Sequence, residues 1–127
     1  MKEVIFTEKA TSPTGPYSQA VKIGNVVYLA GVCGDDPKTG EIMGNGNMKV
    51  EAKYAMENLK NTIEAAGGKM SDIVKVNVVF TDGSKSADFN EVYKTYFPDY
   101  EPARIAMIAA GLLGGANLEL DAVAVIE

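Results

Sequence analysis

The chain has 127 residues, 46% of them hydrophobic, with 12 basic and 17 acidic side chains and a net charge of −5. That suffices for one domain, residues 1–127, with a real core, and the lack of any basic block argues against a nucleic-acid or anionic-membrane partner. A single cysteine excludes an internal disulfide and suits a reducing compartment, while the absence of histidine removes the commonest metal ligand and general base and leaves no zinc site.

No apolar run approaches the roughly 20 residues that span a bilayer. Met1-Lys2-Glu3-Val4 lacks the apolar core of a signal peptide. The expectation is a cytoplasmic protein.

Val4–Thr7 is a short strand candidate, and Lys9–Pro16 is a loop punctuated by Pro13, Gly15 and Pro16. Tyr17–Ile23 alternates weakly. Gly24-Asn25 is a two-residue hairpin signal, and Val26–Val32 returns as a well-buried strand. Asp35–Gly40 is a polar turn; Asp35-Asp36 lacks the further oxygen ligands of a calcium loop. Met48–Ala66 is the clearest helix, because Ala52, Ala55, Met56, Leu59, Ile63 and Ala66 keep helical spacing. Gly67-Gly68 ends it.

Ile73–Phe80 is a strand with Val74, Val76, Val78 and Phe80 on one face and Lys75 and Asn77 on the other. Asp82–Lys85 is a turn. Ser86 is the expected cap of a second helix, Ala87–Phe97, whose apolar stripe is Phe89, Val92, Tyr93, Tyr96 and Phe97. The aromatics there have core spacing and do not form a base-stacking platform. Pro98 and Pro102 end this helix.

The last stretch, Pro102–Glu127, suggests two strands around a glycine-rich turn. Arg104 opens an otherwise apolar run, while Glu119 and Asp121 alternate with Leu118, Leu120 and Ala122 and share a face with Val123 and Val125. Charges set among apolar neighbours need a partner or a ligand. Two uses fit. Arg104 forms a structural ion pair with Glu119 or Asp121, or its planar fork anchors a small carboxylate with an acid nearby to move protons. The order of elements implies an α+β layer, a mixed sheet with two helices on one face. The other face mixes valines with Lys75, Asn77, Glu119 and Asp121, so a symmetric oligomer that buries it is expected.

Six segments together resemble the RidA/YjgF family, the reactive intermediate deaminases. They are Gly15–Val21, Asp36–Glu41, Glu57–Lys60 with Glu64–Gly67, Asn90–Tyr93 with Tyr96-Phe97, Pro102–Arg104, and Glu119–Ala124. The resemblance implies a chorismate-mutase-like six-stranded fold and a homotrimer with a central barrel and clefts between subunits. It also implies cofactor-free hydrolysis of 2-enamine and 2-imine acids, such as 2-aminoacrylate and 2-iminobutanoate, to 2-keto acids and ammonia.

On the same resemblance, Arg104 grips the substrate carboxylate and Tyr17 stands beside the cleft. Asn90 lies near its rim, and Gly31 lets backbone approach the ligand. Asp121 falls at the position of a glutamate that orders water or moves a proton, with Glu119 two residues away on the same face. The chain departs from the family at Ala30 and Val32, which lack hydrogen-bonding side chains, at Ile105 and Ala106, and at Gly111–Gly115 in place of a Leu-Pro turn. These departures keep a second expectation open, a non-catalytic binding protein for a 2-keto acid or similar carboxylate. A ribonuclease, named in older family titles, fits poorly with acidic charge and no histidine. Cys33 is expected to be a small buried hydrophobe.

Overall fold

The strands are β1 (Lys2–Ile5), β2 (Ala20–Ile23), β3 (Val26–Cys33), β4 (Ile73–Phe80), β5 (Ala103–Ile108) and β6 (Leu118–Val125). The helices are α1 (Met48–Ala65) and α2 (Ser86–Tyr93). The computed structural model describes all 127 residues. It has one mixed sheet in the order β1-β2-β3-β6-β4-β5, with both helices packed on the same face. Neighbouring strands are antiparallel except β4 and β5, which α2 joins as a parallel crossover. The expected α+β layer is therefore present.

The core lies between the sheet and α1. Val27, Leu29, Val76, Val78, Leu118, Leu120, Ala122 and Ala124 meet Ala52, Ala55, Met56, Leu59 and Ile63. Asn47 starts α1 by accepting hydrogen bonds from the amides of Lys49 and Val50 at 3.1 and 3.3 Å. Gly67 ends it at φ 90°, with its N–H on the Glu64 carbonyl and that of Gly68 on the Ile63 carbonyl.

Several sequence expectations are corrected. β5 and β6 are not a hairpin, since β4 lies between them. Val76 and Val78 are fully buried, which suits β4 to a central place with partners on both edges. A register shift between Ile73 and Lys75 turns Ile73 into the core and leaves Val74 43% exposed, against the predicted alternation. β3 is only half buried. Val27 and Leu29 face the helices, whereas Tyr28 faces out.

β1 ends at Ile5, and the Thr7 amide donates to Gln19 Oε1 at 2.7 Å. β2 begins at Ala20, as the weak alternation from Tyr17 belongs partly to the loop. Ser86 lies inside α2. Asp82 instead caps the turn before it, accepting from the Ser84 amide at 2.9 Å. α2 stops at Tyr93 and tightens into a 3₁₀ turn over Lys94–Tyr96, but the expected stripe survives as a stack of Phe89, Tyr93 and Phe97 rings.

The face away from the helices is largely apolar. Val4, Val21, Tyr28 and Val123 form a row across four strands, and Val79 lies opposite Met107. Ile105 and Met107 are about half exposed, at 48% and 47%. Patches of this breadth mark interaction surfaces.

Candidate active site

Register decides where each charged residue points. Val76 on β4 lies opposite both Ala122 on β6 and Arg104 on β5. Val76 and Ala122 are buried under the helices, so Arg104 ends a row of helix-facing positions. Glu119 and Asp121 alternate with buried Leu118, Leu120 and Ala122 and face the other way. The first use of Arg104, an ion pair with either acid, is thereby excluded within one chain. The ion pairs present are Lys49–Glu91 and Lys53–Glu57.

Arg104 has a different setting. Its Nη1 donates to Asn90 Oδ1 at 2.9 Å, and its guanidinium carbon lies 4.8 Å from the centre of the Tyr93 ring and 5.8 Å from that of Phe89. Cation–π contact of this kind orients a guanidinium without neutralising it. Asn90, Tyr93, Lys94, Glu101, Pro102 and Arg104 border an open cleft of about 370 Å³. Tyr93 is 4% exposed. Burial, with Glu101 adding to it and Arg104 opposing it, pushes its hydroxyl pKa up to about 12.

A second cleft, of about 460 Å³, opens beside β3 and is bordered by Tyr17, Gln19, Gly31, Cys33, Asp35 and Glu119, among others. β3 shifts register between Leu29 and Val32, so Ala30 and Gly31 sit at an irregularity in the ladder. A Cβ on Gly31 would overlap the Glu119 carboxyl. Glycine there gives the acid its place. Cys33 lies opposite Glu119 and its thiol points at Oε1, 3.8 Å away. Burial, then the Glu119 and Asp35 charges, push that thiol pKa from 9.0 to about 12, which makes Cys33 a poor nucleophile. Tyr17 is half exposed at the rim, its hydroxyl accepting a long 3.4 Å hydrogen bond from the Thr14 amide.

The structure thus groups the residues singled out from the sequence around two separate clefts, two candidate half-sites, Arg104 with Asn90 and Glu119 with Gly31 and Tyr17. Asp121 belongs to neither. Its Oδ1 accepts from Asn77 Nδ2 at 2.9 Å on the open sheet face.

Sequence reading passed over the residues that shape the second cleft. Gln19 is buried and binds the Thr7 amide through Oε1, while its Nε2 donates to the Thr7, Ala10 and Thr11 carbonyls. Asn58 donates to the Cys33 and Asp35 carbonyls at 3.0 and 2.9 Å. Glu51 is fully buried and accepts from the Asn117 amide and side chain at 2.8 and 2.9 Å, two residues before Glu119. Glu51, Asn58 and Thr62 share the helical stripe of Ala55 and Leu59. Polar residues recurring in register with an apolar stripe were the available signal.

The sequence profile described as Endoribonuclease L-PSP matches residues 7–126. The chain belongs to this family, the RidA/YjgF family. A RutC family protein of Pyrococcus abyssi is 46% identical over 99% of this chain and 98% of its own. A 2-iminobutanoate/2-iminopropanoate deaminase of the mite Dermatophagoides farinae is 41% identical over 99% of this chain and 98% of its own. The crystal structure of RidA from the Antarctic bacterium Psychrobacter superposes with a TM-score of 0.93 at 43% identity, covering 98% of this chain and 99% of that one. Within the RidA/YjgF family, then, this chain is similar both to proteins named as deaminases and to proteins named only by family.

Proposed function

We propose that the protein is a hydrolytic deaminase of small 2-imino and 2-enamine acids, acting in clefts that two copies complete together. One observation carries this reading. Arg104 is oriented by Asn90 and Tyr93, is left without an acid, and faces an open cleft. A guanidinium held in that way suits a bidentate carboxylate ligand. The deaminases among the relatives supply the substrate class.

Arg104 fixes the substrate carboxylate, and Glu119 rather than Asp121 supplies the acid. Water adds to the protonated imine carbon, forming the C–O bond while the C=N electron pair moves onto nitrogen. Glu119 takes a proton from that water and returns it to the amine of the carbinolamine. The carbinol oxygen then gives its proton to Glu119 and forms the C=O bond while the C–N bond breaks with its electron pair on nitrogen, so ammonia leaves, takes that proton from Glu119, and the 2-keto acid remains. An enamine first gains a proton at its β carbon and enters as the imine. The imine carbon is already electrophilic, so positioning and one acid–base group provide the acceleration.

The two half-sites lie on opposite faces of one sheet, so this chemistry requires a neighbour. A cytoplasmic homotrimer, its apolar sheet faces packed into a barrel, brings one copy's Arg104 to the next copy's Glu119. Light scattering is expected to give about 40 kDa, three times the 13.5 kDa chain, and Ile105→Asp to give monomers. The direct test is ammonia release from enzymatically generated 2-iminobutanoate. Wild type is expected to accelerate it, Arg104→Ala and Glu119→Gln to abolish the acceleration, and no acceleration at high protein concentration refutes the reading. Ala30 and Val32, which border the cleft without side-chain hydrogen-bonding groups, favour a second reading, a 2-keto acid binding protein. Ligand-dependent thermal stabilisation without turnover would establish it.

A further inference from the structure

The turn after β5 carries two adjacent leucines, and the fold treats them differently. Leu112 is partly buried, whereas Leu113 is 93% exposed. A single exposed leucine is ordinary on a protein surface. What distinguishes this one is its place, since Leu113 and Gly114 border the Glu119 cleft. The turn is fixed at both ends, by the Ala109 amide on the Phe80 carbonyl at 2.8 Å and by Asn117 on Glu51. Between those anchors Gly114 and Gly115 stand at φ 73° and 76°, and a Cβ on Gly111 would meet nothing within 4 Å. The segment therefore has room to move, and it carries a large apolar side chain at its tip.

The wall of the same cleft is apolar too. Ala30, Val32 and Ile42 border it together with the Tyr17 ring. Ala30, Val32 and the Gly111–Gly115 turn are also places where the sequence departs from its family, and each leaves apolar surface at this cleft. Its volume of about 460 Å³ lies in the range of pockets that enclose ligands much larger than a four-carbon acid. With the carboxylate on Arg104 of one copy and the imine carbon beside Glu119 of the next, the substrate's own side chain is what remains for this wall to hold. We infer that Leu113 closes over that side chain, and that the protein selects 2-imino acids with an apolar chain of leucine size over three-carbon ones. This inference rests on the reading of the Glu119 cleft as one wall of the reaction chamber.

The test compares two imines generated in place by an amino-acid oxidase, 2-imino-4-methylpentanoate and 2-iminopropanoate. Wild type is expected to favour the longer one at least about 10-fold in kcat/KM, the low end of what one methylene is worth in an apolar pocket. Leu113→Ala is expected to lose about 10-fold on the longer imine, chiefly through KM, and to stay within about twofold of wild type on the shorter one. Leu113→Met should keep the preference. The alanine variant should also keep the wild-type melting temperature and mass, because the leucine is exposed. Equal losses on both imines, or a fall to monomer mass that makes Leu113 an interface residue, overturn the inference. If wild type turns over 2-iminobutanoate without preferring the longer chain, this inference fails while the proposed function stands. If wild type binds 2-oxo acids without turnover, the deaminase reading fails, and calorimetric titration with 4-methyl-2-oxopentanoate against 2-oxopropanoate decides the role of Leu113. If wild type binds no carboxylate, both fall.

Discussion

Gly31→Ala isolates the placement of Glu119 from everything else in the second cleft. The added methyl would overlap the Glu119 carboxyl and come within 3.1 Å of Cδ and 3.3 Å of Cγ. These atoms are the end of a flexible, partly exposed side chain, so the acid swings aside and the backbone stays. The expected stability loss is about 1 kcal/mol or less, the low end for overpacking. The displacement of the carboxyl is ~1 Å, and a misplacement of that size costs about 100-fold in turnover. Ammonia release and urea unfolding, measured on the same preparations, should therefore separate, with activity falling steeply and the midpoint barely moving. The double variant Gly31→Ala/Glu119→Gln should be no less active than Glu119→Gln alone, because a displaced acid and an absent one fail in the same way. Full activity in Gly31→Ala, or losses that multiply in the double variant, would refute the reasoning.

Asp121→Asn keeps a partner for Asn77 and leaves both half-sites untouched, so kcat/KM should stay within a few-fold of wild type in the ammonia assay. Cys33, raised from 9.0 to about 12, should react with iodoacetamide at pH 8 about 1,000-fold more slowly in the folded protein than in urea, as its thiolate fraction is that much smaller. A folded pKa above the unfolded one means that Cys33 contributes stability fully below about pH 9 and loses it as the pH rises toward 12. Cys33→Ala should accordingly flatten the alkaline limb of a stability–pH curve. Glu51→Ala orphans two Asn117 donors and should cost about 2 to 4 kcal/mol in urea unfolding. Glu51→Gln should recover much of that, because Asn117 can turn its amide to offer an acceptor.

The elements that follow one physical rule were legible in the chain. The helical spacing from Ala52 to Ala66 and the Gly67 stop describe α1 as it stands. The alternation of Leu118, Leu120 and Ala122 with Glu119 and Asp121 describes β6. What escaped depends on partners distant in sequence. Nothing local to Pro102–Glu127 says that β4 lies between its two strands, so an Arg104 and a Glu119 that seem close in the chain lie on opposite faces. The shift in β4 that exposes Val74 is likewise a matter of pairing. That Glu119 has a place at the second cleft depends on Gly31, 88 positions before it, whose missing side chain makes room for the carboxyl.

The opposite orientation of Arg104 and Glu119 has a genetic consequence. On the proposed arrangement of two copies around one cleft, two defective alleles, one lacking the arginine and one lacking the glutamate, spoil different walls of a shared chamber. Co-expressed and randomly mixed, they should regenerate about one intact chamber in four, since an unaltered arginine on one copy then meets an unaltered glutamate on its neighbour about that often. Neither allele alone should do so at any dose, and a chain carrying both lesions should rescue nothing.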